Sequence, residues 1–241
     1  MSRQSERGFT IIEISLFVAI SGFLAVALLT GWALSINGQR YKDSVDSLYA
    51  FLQQQYSFVY NVENGRSANL DCDSNSIVYD NGATPRGQSN CVLLGRYIRI
   101  SGGTDFDSFA VVGNESAGAT TLSSYKPRVV DSSIGLSQAK FTIPWGAVAT
   151  GRGAGNTNPL NIGIAVLRSP STGAVYTYIN TDNGAVVDLS PIVSVANQKE
   201  QYLCIDPGTG VSIQGSHRAV YLPKYAASQN SIETKGDDSG C

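Results

Sequence analysis

Few residues of this chain could do chemistry, and the most oddly placed of them is Glu13. It opens a stretch, Ile14 to Gln39, of 26 residues without Asp, Glu, Lys, Arg or His. A carboxylate at the centre of such a stretch costs about 2.5–3.5 kcal/mol to place in a bilayer, and somewhat less near an end. An ionisable group there calls for a cationic partner, because an unpaired charge in an apolar medium is unstable.

The other reactive groups form no constellation. His217 is the sole histidine, so a Ser-His-Asp or Cys-His site would have to use it, and no G-x-S-x-G accompanies it. Gly-rich "GRGAGN" at 151–156 lacks the G-x-G-x-x-G frame of a phosphate-binding turn and reads as a surface loop. Asp71-x-Asp73-x-Asn75 copies the first three ligand positions of an EF-hand. Ser76 stands at its glycine position, however, and Gly82 at its closing glutamate. Asp105, Asp107 and the Asp237-Asp238 pair read as turn or solvated acids, and "NES" at 114–116 is a sequon that matters only where such sites are glycosylated. The expectation is no catalytic residue, no metal and no cofactor.

Cys72, Cys91, Cys204 and Cys241 contain no C-x-x-C, and one histidine makes a zinc site of common spacing implausible. Four cysteines allow three pairings. Cys72–Cys91 with Cys204–Cys241 is favoured because each closes a polar loop without crossing the other, in an oxidising compartment. Reduced, unrelated thiols are the alternative.

The elements that carry these residues are one helix and a β head. The run Ile14–Ile36 exceeds the roughly 20 residues a membrane helix needs. Arg3 and Arg7 against Glu6 predict a cytoplasmic N-terminus and an exported remainder. Beyond it, Tyr41, Val45, Leu48, Tyr49, Leu52, Tyr56, Val59 and Tyr60 keep helical spacing on one face, with Asn64-Gly65 as the stop. A helix from Phe9 to about Val62 would measure roughly 80 Å. Its Tyr-rich stripe reads as the surface packed against the head.

After Gly65, turn residues punctuate short alternating runs: "RYIRI", "SFAVV", "KFTIPW", "NIGIAVL", "AVYTYI", "AVVDL", "QYLCI" and "AVYLP". "AVYTYINTDNGAVVDL" reads as a hairpin about Asp182-Asn183-Gly184. "ASQNSIETKGDDSGC" reads as a polar tail anchored only by Cys241. The fold class is α+β, an antiparallel sheet laid on the second half of a long helix. Net charge is −2 with no basic cluster, so nothing points to nucleic acid.

Three readings fit the N-terminus. A cleavable secretory signal would use Ala25-Val26-Ala27, which lies inside the apolar run. A plain signal anchor leaves Glu13 unexplained. The third rests on Gly8-Phe9-Thr10-Ile11-Ile12-Glu13, which follows a short charged leader and precedes an apolar helix. This string resembles the class III signal of type IV prepilins and pseudopilins, and the likeness covers residues 1–62. It implies cleavage between Gly8 and Phe9 by a prepilin peptidase and N-methylation of Phe9. It further implies that Glu13 neutralises the Phe9 ammonium of a neighbouring subunit during assembly. The sequence departs from many major pilins in lacking a proline midway along the apolar run, where Thr30-Gly31 stands. The head resembles, in order and texture, the larger minor pseudopilins of the GspH/FimT kind.

The resemblance implies a leader at 1–8, an assembly helix at 9–38, its amphipathic continuation at 39–64 and an extracytoplasmic head at 65–241. It implies a non-enzymatic filament subunit of a pilus or type II secretion machine. The partners would be other pilin subunits, the peptidase, an inner-membrane assembly platform and, before assembly, membrane lipid. The subunit would move from the cytoplasmic membrane to a surface or periplasmic filament. The alternatives are a membrane-anchored binding or adhesin domain that never polymerises and, less favoured, a secreted hydrolase built from converging carboxylates.

Overall fold

The computed structural model describes residues 10–61, 69–72, 77–80, 90–115, 118–130, 138–153, 155–182, 186–208, 217–236 and 240–241. One helix, α1, runs unbroken from Ile11 to Tyr60, about 75 Å at 1.5 Å per residue. Gly22, Gly31 and Gly38 do not interrupt it. Thr10 caps its start, and at its end the Asn61 N–H donates to the Ser57 carbonyl (2.8 Å). The helix therefore stops a turn before Asn64-Gly65, which lie outside the described residues.

The head is antiparallel. β1 (Asn69–Cys72) and β2 (Ile77–Asp80) form a two-stranded ribbon. The large sheet takes β3 (Cys91–Ser101), β4 (Asp105–Asn114), β5 (Arg128–Val129), β6 (Ala139–Thr142), β8 (Ile162–Arg168) and β9 (Val175–Asn180). Its order is β5-β4-β3-β8-β9, with β6 beside the other half of β4. A smaller sheet takes β7 (Val148–Thr150), β10 (Gln201–Asp206), β11 (Ala219–Leu222) and β12 (Glu233–Lys235), in the order β12-β11-β10-β7.

The helical stripe supplies the main core. Tyr41, Val45, Leu48, Leu52, Tyr56 and Val59 are buried against Ile98, Ile100, Phe106, Ile162 and Ile164 of the large sheet and Leu203, Ile205, Val220 and Leu222 of the small one. Tyr49 packs at the margin, and Tyr60 stays exposed. Phe51, outside the expected stripe, stacks on Phe141 with centroids 4.9 Å apart, and Phe106 meets the same ring edge-on at 5.9 Å. The second face of the large sheet is also covered: Leu94, Tyr97, Ala165 and Leu167 pack under Leu122, Tyr125, Leu189 and Ile192. Hence β8 reads "IGIAVL" without a polar residue, since both of its faces are buried.

Three expectations need correction. The hairpin about Asp182-Asn183-Gly184 has no pairing among the described residues, from which Asn183 and Gly184 are absent: β9 pairs there with β8 alone, and Asn180 captures the Asp182 N–H (3.1 Å). The chain instead crosses the sheet's back, where the Val187 and Leu189 backbones bond β5 and its neighbour Pro127. The "polar tail" contains β12 and the buried Ile232, so more than Cys241 anchors it. In "KFTIPW" the strand stops at Thr142, and Pro144–Gly146 form a tight turn. Cys72 is bonded to Cys91 and Cys204 to Cys241, with Cα atoms 5.0 and 5.6 Å apart, the pairing favoured on loop closure.

Candidate functional site

At the N-terminus of α1 the backbone leaves amides without helical partners. Thr10 and Glu13 satisfy two of them reciprocally. The Glu13 N–H donates to Thr10 Oγ1 (3.3 Å), and the Thr10 N–H donates to Glu13 Oε2 (2.9 Å). Thr10 Oγ1 also donates to Glu13 Oε2 (3.0 Å). The carboxylate is thus held close to the positive end of the helix dipole, where an anion is favoured. Among the described residues it has no ion-pair partner. Gly8 and Phe9 lie outside the described residues.

The surface that follows Glu13 is apolar on all sides. Ile12, Phe17, Phe23, Leu28 and Trp32 point in different directions around α1, and each is more than two-thirds exposed. Two hydroxyls in this stretch bond within the helix: Ser15 Oγ donates to the Ile11 carbonyl (2.8 Å) and Thr30 Oγ1 to the Val26 carbonyl (3.0 Å). This half of the helix, exposed and uncharged, is long and apolar enough to cross a membrane.

Where α1 enters the head, Tyr41 hydroxyl donates to the Ile205 carbonyl (3.0 Å) and accepts the Arg218 N–H. Ser44 Oγ donates to the Pro144 carbonyl (2.9 Å), and the Trp145 indole N–H donates to Asp43 Oδ2 (2.7 Å). The Arg40 guanidinium lies 4.9 Å from the Trp145 ring centroid. Trp145 itself adopts φ +64°, the left-handed region that costs a residue with a Cβ roughly 1–3 kcal/mol. At the far end of α1, the Tyr56 hydroxyl donates to Thr177 Oγ1 (2.6 Å), whose own O–H donates to the Ala226 carbonyl (2.7 Å). Beside it, Tyr60, Asn61, Ser228 and Gln229 border a cleft of about 250 Å³.

Comparison with protein-family models, curated proteins and solved structures found no match for this chain.

The remaining residues singled out from the sequence do not converge. Asp105 accepts hydrogen bonds from Thr104 Oγ1 (3.1 Å) and Thr142 Oγ1 (2.9 Å). Asp107 pairs with Arg99 at 3.0 Å and with Lys140 at 3.9 Å. Both acids therefore serve the β4–β6 ladder. Asp73, Asn75, Ser76, Gly82, Asp237 and Asp238 lie outside the described residues. No group of three metal-binding side chains occurs among the described residues. His217 is half-buried just before β11. Two participants were missed from the sequence. Thr10 carried a readable signal, the T-x-x-E spacing of a capping box. Trp145 carried none, because its contacts with α1 span 102 residues of chain.

Proposed function

We propose that this chain is a minor pilin or pseudopilin, a non-enzymatic subunit that joins a type IV pilus-like filament through α1. The observation that carries this reading is Glu13: a carboxylate with its local hydrogen bonds made and no ion-pair partner among the described residues, at the head of a helix whose first half is uncharged and exposed. Cleavage after Gly8 would create a cation at Phe9, and the same cation on an adjacent subunit would neutralise Glu13 as the helices bundle. The apolar circumference supports the rest, since it can face lipid before assembly and other α1 helices afterwards. Head and helix share one core, so the head would be carried with the helix. The membrane-bound precursor would sit with its head outside the cytoplasmic membrane, served by a prepilin peptidase and an assembly platform.

The test is incorporation of Glu13→Ala and Glu13→Gln chains into filaments sheared from cells, with the mature mass read by mass spectrometry. Cleavage at Gly8/Phe9 with more than about tenfold less incorporation is expected, as a lost buried charge pair is worth several kcal/mol. Normal incorporation of both variants would sink the proposed role of Glu13. A retained Met1, or a start at Leu28, would remove the prepilin reading. Cleavage without any filament association of the unsubstituted chain would favour a membrane-anchored binding domain.

A further inference from the structure

The turn Pro144–Gly146 reaches out of the head toward the apolar half of α1, and its tryptophan is the odd residue there. Trp145 is 54 % exposed although it is held on three sides. Its indole N–H is fixed by Asp43, its turn by Ser44, and its ring lies beside Arg40. The left-handed φ of Trp145 and of Gly146 (+72°) turns the ring outward instead of into the core. The recess beneath it, lined by Asn37, Arg40, Tyr41 and Pro207, measures about 70 Å³, too small for a ligand larger than a few waters. So the ring is presented to a surface and not to a pocket guest.

Its height along α1 identifies that surface. The uncharged run ends at Gln39, and Ile36 is its last large apolar residue. At 1.5 Å per residue, Ile14–Ile36 spans about 34 Å, close to the roughly 30 Å of a bilayer's hydrocarbon core. Arg40 lies about 6 Å further on, the depth of one headgroup layer. Tryptophan and arginine are the side chains suited to that layer, with an apolar body on the acyl side and a polar end in the headgroups. Asp43 does not spoil the fit, because its carboxylate accepts the indole N–H (2.7 Å) and so is engaged with the ring it orients.

We propose that Trp145, oriented by Asp43 and flanked by Arg40, seats the head in the outer headgroup layer of the bilayer that α1 crosses. This rests on the membrane-spanning reading of α1 and adds a second, head-borne contact with lipid. The seat would fix the head's height and tilt before assembly, and extraction of the subunit would have to break it.

The chain has two tryptophans, so each can be read alone. Full-length Trp32→Phe chain, with Trp145 as reporter, is reconstituted into vesicles of equal phosphatidylcholine and phosphatidylglycerol. Full-length Trp145→Phe chain, with Trp32 as reporter, is reconstituted in parallel. Lipid spin-labelled at the headgroup should lower Trp145 emission by about twofold or more, and lipid labelled at mid-chain should do the same to Trp32. Quenched Trp32 with Trp145 untouched by the headgroup label would overturn the seat and leave the spanning helix intact. Failure of both would overturn both. Quenching of Trp145 alone would mean a head that adheres without a crossing helix, which also rejects the proposal as stated.

Discussion

At Glu13 the local hydrogen bonds are made while no ion pair is formed among the described residues, and the two facts are separable by mutation. Thr10→Ala removes the hydroxyl that holds the Glu13 amide and one donor to its carboxylate. Loss of such a cap costs about 1 kcal/mol, so amide hydrogen exchange in detergent should find the Glu13 N–H about fivefold less protected. The charge at position 13 is unchanged by that substitution. Gln55 poses a similar question inside the core. Its Oε1 accepts from Ser108 Oγ (2.7 Å), while its buried Nε2 has no partner among the described residues. Ser108→Ala should cost about 1–3 kcal/mol in urea unfolding, because it orphans Oε1 as well. Gln55→Met combined with Ser108→Ala should recover most of that loss, since both polar partners then disappear together. The sequence marks Glu13 clearly, because a lone carboxylate beside 26 uncharged residues has few explanations. It marks Gln55 not at all: a glutamine on a helix face is buried only if a distant strand arrives to cover it.

Among the elements, the β3–β4 hairpin links the two sheets. Gly103 sits at its tip with φ +68°, and its backbone bonds both Leu160 and Ala149. A Cβ there would lie 2.3 Å from the Ala149 carbonyl oxygen, whereas at neighbouring Gly102 (φ +59°) it meets only Thr104 Oγ1 at an ordinary 3.9 Å. Gly102→Ala should therefore cost about 1 kcal/mol from backbone strain alone, and Gly103→Ala at least twice that from strain plus collision, by chemical denaturation. The Tyr56 hydroxyl ties α1 to β9 and to Ala226, and burial pushes its pKa up. With an ordinary value near 10 in the unfolded chain, its contribution is complete below that pH and is lost as pH rises toward the folded value. Circular dichroism should show alkaline unfolding that begins near pH 10. Tyr56→Phe should move the onset upward while costing about 1 kcal/mol at neutral pH. Periodicity made α1 and most central strands legible, because burial on one or both faces writes itself into residue order. "AVVDL" misled because it meets β5 through a single isolated bridge, Asp188 opposite Arg128, while Val186 and Leu189 pack on the back of the sheet and Val187 stays exposed. β12 was hidden because an edge strand with a polar face, "ETK", looks like tail.

At the scale of the whole molecule, two disulfides close the ribbon and the last strands onto the sheets. Cys72–Cys91 closes a 19-residue separation and Cys204–Cys241 one of 37. Loop-closure entropy assigns them about 3 and about 4 kcal/mol. Calorimetry of the Cys72→Ala, Cys91→Ala chain should find the head's melting point lower by roughly 6–12 °C at this size. Their pairing was readable because non-crossing loops are the simplest solution, but the division of the head into two sheets was not. That division depends on Gly103 meeting Ala149 and Leu160, contacts between segments with no local signature.

The unbroken passage of α1 through Gly38 has a mechanical consequence. The half of the helix outside the head and the half inside it form one rigid shaft with no swivel between them. The azimuth of the head is then set by how the bare half is turned among its neighbours. Adding one residue between Ile36 and Arg40 would rotate the head by about 100° and raise it by about 1.5 Å. In the filament proposed above, chains altered in this way would fold normally yet present the wrong flank to their surroundings, and would betray the linkage as a phase error.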